Sequence, residues 1–158
     1  MPIVINNVLG QIRSIAASGD DRAAKAKRLA ERIQILGSYR WVGVYDVGPE
    51  QVSIIAWSGP SAPEYPTFPV DKGLTGAAIQ QKKAVVVGDV RNDPRYLTAF
   101  GSTLSEIIVP VLSPDGRVIG TVDVESERLN AFSASDQQMI EQCAEAALAA
   151  GVRLARRR

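Results

Sequence analysis

The segment Glu106-Ile-Ile-Val-Pro-Val-Leu-Ser-Pro-Asp-Gly-Arg-Val-Ile-Gly-Thr-Val-Asp-Val-Glu-Ser126 decides how the chain is read. Two β-prone runs, Glu106–Leu112 and Arg117–Ser126, flank Ser113-Pro114-Asp115-Gly116, a hairpin signature. Side chains alternate faces along a strand. Val118, Gly120, Val122 and Val124 therefore share one face, and Ile119, Thr121, Asp123 and Glu125 share the other. Asp123 and Glu125 lie roughly 7 Å apart at ~3.3 Å per residue. With a four-residue loop Glu106 sits opposite Asp123, and with a two-residue turn opposite Glu125. Either even loop gathers all three carboxylates on one face, whereas an odd loop or a bulge at Pro110 separates them. A proline inside a strand points to an edge or a bulge. Like charges across strands destabilise a sheet. If water covers that face the cost is small. If a loop or helix covers it, a retained proton or a cation must compensate: a ligand ammonium, a metal ion, or a lysine or arginine of the chain. The plainer alternative is a solvated face whose acids serve solubility.

Outward from this hairpin the pattern predicts further elements. Arg40–Val47 and Val52–Ser58 form a second hairpin about Gly48-Pro49. On the first of these strands Trp41, Gly43 and Tyr45 share a face. Two aromatics over a missing side chain make a shallow box for an alkyl or cationic group, or pack as ordinary core. Gly59–Pro69 reads as an ordered loop, Leu74–Gln81 as a short helix opened by a turn at Gly73, and Ala84–Val90 as a strand. Asn92-Asp93-Pro94 starts a turn or helical piece through Leu97. Two helices precede all this. Val8, Leu9, Ile12, Ile15 and Ala16 recur at helical spacing. Asp20 or Asp21 caps the second helix, whose stripe is Ala26, Leu29, Ala30, Ile33 and Leu36 and which Gly37 ends. A long helix closes the chain, opened by a capping box, Ser133 with Asp136, and striped by Ile140, Cys143, Ala147, Gly151 and Leu154. Strands in hairpins among helices point to an α+β domain with an antiparallel sheet packed on helices. We divide the chain into an N-terminal helix (1–20), a domain that includes the C-terminal helix (21–152) and a basic tail (153–158).

Composition narrows the chemistry. The 158 residues fit one domain, 46% hydrophobic and 22% charged, with a formal net charge of +1 that names no partner. There is no histidine, which removes histidine bases and histidine metal ligands. A single cysteine, Cys143, excludes an intrachain disulfide and a CxxC pair, and its place on an apolar stripe reads as core filler. Asp71-Lys72-Gly73-Leu74-Thr75-Gly76 lacks Walker spacing and reads as a structural turn, with an anion at the helix start as the alternative. The cluster Arg153, Arg156, Arg157, Arg158 favours a helix C-terminal dipole, without the interleaved basic and aromatic residues of a nucleic-acid surface. No apolar run approaches a membrane span, and a cytoplasmic protein without nucleic-acid or membrane partners is expected.

In order and spacing, several of these segments together resemble a GAF domain, the small-molecule sensor fold related to PAS. They are Gly73-Leu74-Thr75-Gly76, Gly88-Asp89-Val90, Asn92-Asp93-Pro94, Ser105 through Pro110, Ile119 through Ser126, and Phe132 with Asp136. The likeness spans approximately Ala24 to Ala150. It implies a GAF-like central antiparallel sheet of five to six strands, with the terminal helices on one face and the ligand pocket on the other. Within GAF domains the chain resembles the free methionine-(R)-sulfoxide reductases, in Trp41-Val42-Gly43-Val44-Tyr45, Ser105-Glu106-Ile107 and Asp123-Val124-Glu125-Ser126. That resemblance implies that Trp41 and Tyr45 wall the apolar part of a ligand, while Glu106, Asp123 and Glu125 hold its amino group. Glu125 departs from the family's usual Asp. The positions matching the family's thiols read Thr75 and Ala99, neither capable of sulfur redox chemistry. Bilin attachment lacks its cysteine and histidine. The cyclic-nucleotide pattern is incomplete, with Gln137 after Asp136, and an acidic pocket repels phosphate.

The expectation is therefore a non-catalytic sensor or binding domain for a small ammonium-bearing ligand, a free amino acid or derivative, acting in signalling. The ligand-binding residues are Trp41, Tyr45, Glu106, Asp123 and Glu125, with no catalytic residue, metal or cofactor. Gly59–Pro69 and Arg91–Ser105 act as lids, and the terminal helices form a homodimer that transmits to a partner protein. The alternatives are a reductase-like enzyme and an interaction or dimerisation domain whose pocket is filled by Trp57, Tyr65, Phe68 or Phe100. A variant places a hard cation on the three carboxylates.

Overall fold

A computed structural model describes residues 2–97 and 101–149, with side chains from residue 6 to residue 148. Ala99, Phe100, Gly151, Leu154 and the basic tail 153–158 lie outside the described residues. Two helices, α1 (Pro2–Ala17) and α2 (Arg22–Gly37), lead into strands β1 (Trp41–Val47) and β2 (Gln51–Ser58). Next come β3 (Thr67–Pro69), α3 (Gly73–Gln81), β4 (Val85–Val87) and a 3-10 turn (Val90–Asn92). The strands β5 (Ser105–Leu112) and β6 (Val118–Ser126) and the helix α4 (Ala134–Ala149) close the chain. The six strands form one sheet in the order β3-β2-β1-β6-β5-β4, with every pairing antiparallel.

Side-chain alternation splits the sheet into two environments. Val42, Val44, Ile107, Val109, Val111, Val122 and Val124 face α1, α2 and α4 and pack with Ile12, Leu29, Ile33, Ile140 and Cys143 in the main core. The opposite face carries Trp41, Tyr45 and the acids, and α3 covers one end of it through Leu74 and Ala78 against Ile108. The terminal helices α1, α2 and α4 are therefore on one side and the hollow on the other, as the GAF resemblance implies.

Caps form where the sequence signals them. Asp21 accepts from the Ala24 N–H at 2.8 Å to open α2. Ser133 and Asp136 form the reciprocal box that opens α4: the Asp136 N–H donates to Ser133 Oγ at 3.2 Å, and the Ser133 N–H donates to Asp136 Oδ2 at 2.9 Å. At the end of α2 the helix stops at Gly37 as expected, but the glycine itself is not the left-handed cap. Ser38 takes the left-handed conformation with φ 52°. Gly37 is needed for room, because a Cβ there would stand 2.0 Å from the Tyr39 ring.

Two further expectations change. Gly59–Pro69 is not all loop: its last three residues form β3 on the sheet edge, pairing with β2 through Val52 and Phe68. Ala84–Val90 shrinks to Val85–Val87, because Asp89 accepts from the Arg91 N–H at 3.1 Å and turns the chain into the 3-10 segment. That 3-10 turn precedes the expected one, which does start at Asp93-Pro94, where the Tyr96 N–H donates to the Asp93 carbonyl at 3.2 Å. Pro110 sits on β5 beyond the end of β4, whose pairing stops at Ile108, so its missing N–H leaves no broken ladder.

The central hairpin reaches the expected face by an unexpected route. Its loop is odd: the Ser113 N–H donates to the Arg117 carbonyl at 2.8 Å, leaving Pro114, Asp115 and Gly116 as three loop residues, with Gly116 at φ 85°. Alone, this register would put Glu106 opposite Val124. A bulge restores parity. Leu112 pairs with Val118 but Val111 pairs with Gly120, so Ile119 is the extra residue. Ile119 accordingly packs against the helix-side core instead of joining the acid face. Beyond the bulge Glu106 faces Glu125 and Ile108 faces Asp123.

Candidate functional site

The hollow on the open face of the sheet begins at β1. Trp41 pairs with Glu125, Gly43 with Asp123, and Tyr45 with Thr121, so the aromatic and acidic rows stand side by side on one face. Gly43 makes the arrangement possible. A Cβ there would lie 2.3 Å from Cη2 of Trp41 and 2.9 Å from Cε1 of Tyr45. Gly59 makes the same close approach from the far side, where a Cβ would lie 2.4 Å from Trp41 Cδ1. The indole is further fixed by its Nε1–H, which donates to the Ser61 carbonyl at 3.0 Å. Tyr45 stands 6.4 Å from the Trp41 ring and meets Phe68 edge-on at 5.8 Å.

These rings, together with Pro63 and Tyr65 before β3, Leu74 and Thr75 of α3, and Tyr96 and Leu97, wall a cavity whose floor is Glu106, Asp123 and Glu125. About 40 Å3 is roomy enough for a few water-sized groups, within an empty volume of about 450 Å3 that includes the open mouth. Both segments expected to act as lids contribute walls. Trp57 lies outside the lining, with the Lys27 ammonium 5.1 Å over its ring.

All three acids are buried, with Glu106 8%, Asp123 4% and Glu125 2% exposed. Hydroxyls serve two of them. Thr75 donates to Asp123 Oδ2 at 2.9 Å, Thr103 donates to Glu125 Oε1 at 2.7 Å, and Tyr96 reaches the same oxygen at 3.4 Å. Asp123 Oδ1 is buried with no hydrogen-bond partner, and so is Thr121 Oγ1. Among the described residues no lysine or arginine forms an ion pair with any of the three. Nor does any group of three acids or cysteines there have the geometry to hold a metal ion.

Burial dominates the titration. It pushes Glu106 well above the usual carboxylate range, and the charges of Glu125 and Asp123 push it further. Asp123 is raised by burial to about 7, although the Thr121 and Thr75 hydroxyls favour its charged form. Thr121 does so from nearby, without a hydrogen bond of good geometry. Glu125 also rises to about 7 through burial, held down by Thr103, Tyr96 and the more distant Arg40, which itself pairs with Glu127. The Tyr45 phenol is driven far up by burial and by the three acids beside it.

Sequence reasoning named Trp41, Tyr45, Glu106, Asp123 and Glu125, and the fold brings all five to one cavity. It missed Tyr96 and Thr103 as donors to Glu125. Both lie in an aperiodic stretch where no face can be assigned. Thr75 entered within a presumed structural turn and as the match to a thiol position of the family, yet its hydroxyl is the donor to Asp123. Cys143 lies on α4 in the helix-side core, 1% exposed, with burial pushing its thiol up to about 12.

An antiparallel sheet backed by terminal helices and hollowed on its free face is the architecture of a small-molecule-binding regulatory domain. The chain belongs to the GAF domain family, whose family model matches residues 20–150. It is 30% identical over 137 residues to GAF domain-containing protein A of Dictyostelium discoideum, covering 86% of this chain and 85% of that one. It is 34% identical over 73 residues to the free methionine-R-sulfoxide reductase of Saccharomyces cerevisiae, 46% of this chain and 41% of that one. The solved free methionine-R-sulfoxide reductase of Neisseria meningitidis, in complex with its substrate, superimposes with a TM-score of 0.83 at 31% identity, over 92% of this chain and 87% of that one. No helix among the described residues is long and apolar enough to cross a membrane.

Proposed function

We propose that this GAF domain is a non-catalytic sensor that binds a small ligand with a primary ammonium, a free amino acid or a derivative. One observation carries the proposal: three carboxyls share a sheltered floor, one oxygen of Asp123 has no partner, and no cation of the described chain pairs with them. A primary ammonium brings one positive charge and three N–H donors, the complement of that floor. Trp41 and Tyr45 wall the apolar part of the ligand, and the segments 59–69 and 91–105 cover it. The terminal helices pair two copies, and in a cytoplasmic setting the ligand state passes to a partner protein. A thermal-shift screen of amino acids, their sulfoxides and cyclic nucleotides tests this. Stabilisation by an amino compound that is lost in Glu106→Gln and Asp123→Asn is the expected result. Binding unchanged in both variants removes the acids from the mechanism. Sedimentation of the full chain tests the homodimer.

The likeness to the reductases supports a second reading, an enzyme acting on free methionine sulfoxide. Against it, the sole thiol is buried on the side of the sheet away from the cavity, and Thr75 stands in the cavity wall. A coupled assay decides: turnover abolished by Cys143→Ala overturns the non-catalytic reading. The small size of the cavity, with Phe68 and Tyr65 among its walls, supports a third, a pocket closed by its own side chains, which predicts no thermal shift with any compound.

A further inference from the structure

We propose that a cationic guest enters this floor by proton exchange: the empty site stores protons among Glu106, Asp123 and Glu125, and an arriving ammonium displaces at least one of them to solvent. The exchange rests on the ammonium reading above and adds how that site is regulated.

The geometry leaves little alternative to stored protons. Glu106 and Glu125 are directly opposed across neighbouring strands, which brings their Cβ atoms to roughly 4.5–5.5 Å. Asp123 stands one alternation along, with a buried oxygen that has no hydrogen-bond partner although the Thr121 hydroxyl stands nearby. Full ionisation would place three negative charges in one hollow.

The groups that face them offer few ways to balance that charge. From β1 comes Tyr45, a neutral phenol. From the segment before β3 comes Tyr65, and α3 adds only Thr75. The stretch before β5 adds Tyr96 and Thr103, whose hydroxyls serve Glu125. Arg40 acts on Glu125 from outside the cavity and is engaged by Glu127. No hydroxyl hydrogen bond or ion pair serves Glu106 among the described residues, so a retained proton is what remains to balance the charge of the opposed pair.

The exchange balances simply. A neutral carboxyl and R–NH3+ become a carboxylate hydrogen-bonded to R–NH3+, and the proton leaves with the buffer. No electron moves and no further reactant is needed. Binding therefore strengthens as pH rises, by up to about tenfold per pH unit for each proton released, while the site still holds protons and the guest's amine stays charged. A domain built this way reads its ligand jointly with pH.

Two measurements on the full chain test the exchange, with L-methionine sulfoxide and propylamine as probes. Infrared spectra of the empty protein at pH 7 should show the carbonyl stretch of a buried neutral carboxyl, weakened in Glu106→Gln and bleached by saturating probe. Calorimetry at pH 6.5 in buffers of different ionisation enthalpy should return about one proton released per probe bound. Absence of the neutral-carboxyl band overturns proton storage whether or not a probe binds. Binding without proton release overturns the exchange and leaves the ammonium reading standing. Failure of both probes to bind overturns that reading and the exchange with it.

Discussion

Replacing Asp123 with Asn should stabilise this domain increasingly as pH rises. Asp123 is buried, and its carboxyl titrates at about 7 in the fold against an ordinary 3.8. Its folded value is the higher one, so between those limits the native state holds more protons than the unfolded chain. Stability then falls as pH rises. The contribution is fully present below about pH 4 and is lost as pH climbs through 7. At 1.36 kcal/mol per unit, a shift of roughly three units is on the order of 4 kcal/mol. Asn cannot titrate, yet its amide oxygen still accepts from the Thr75 hydroxyl now 2.9 Å from Oδ2. The stability difference between Asp123→Asn and the parent should therefore grow by about 4 kcal/mol between pH 4 and pH 8.5, or roughly 8–16 °C in Tm for a domain of this size. Urea titrations at half-unit pH intervals measure it, with m-values compared to confirm that the same surface unfolds. Parallel stability–pH curves for the two proteins would refute the claim that the fold withholds this carboxyl from water.

Other consequences are more local. Gly43→Ala drives a methyl into the Trp41 and Tyr45 rings and should lower stability by about 1–3 kcal/mol in denaturant melts, with a change in tryptophan emission; unchanged melts would show that the rings move freely. Tyr39→Phe removes the hydroxyl that donates to Asp136 at 3.0 Å and ties the start of α4 to the end of α2, at a cost of about 1–2 kcal/mol measured by urea unfolding. Cys143 should resist aromatic-disulfide reagents in the native protein at pH 8 and react once urea unfolds the chain; rapid native labelling would contradict its burial.

The fold was legible wherever a period was long enough to count. Helical stripes, the Asp21 cap and the Ser133–Asp136 box all lie in segments whose neighbours repeat the same signal. The strand β3 escaped because three residues, the last a proline and the first preceded by one, offer no alternation to read. Its pairing with β2 comes from tertiary contact.

The acid face shows a subtler limit. Period two correctly joined Asp123 to Glu125, but the placement of Glu106 depended on parity across the hairpin. Parity was set by two departures from the expected geometry, an odd loop and a bulged Ile119, each of which alone would have turned Glu106 toward the helices. A bulge leaves little trace in composition, so the convergence of the three carboxyls can be anticipated from sequence but fixed only by the register.

That compensation bears on why the acids stand where they do. Glu106 and Glu125 directly opposed, with Asp123 beside them, break the ordinary rule for cross-strand pairs. Their burial raises the cost of charging them, and the hydroxyls of Thr75, Thr103 and Tyr96 offset only part of it. A valine or threonine at Glu106 would satisfy the sheet better. Local rules broken with only partial compensation among the described residues are expected where the compensating group arrives from outside, and in the function we propose that group is a positive charge with N–H donors.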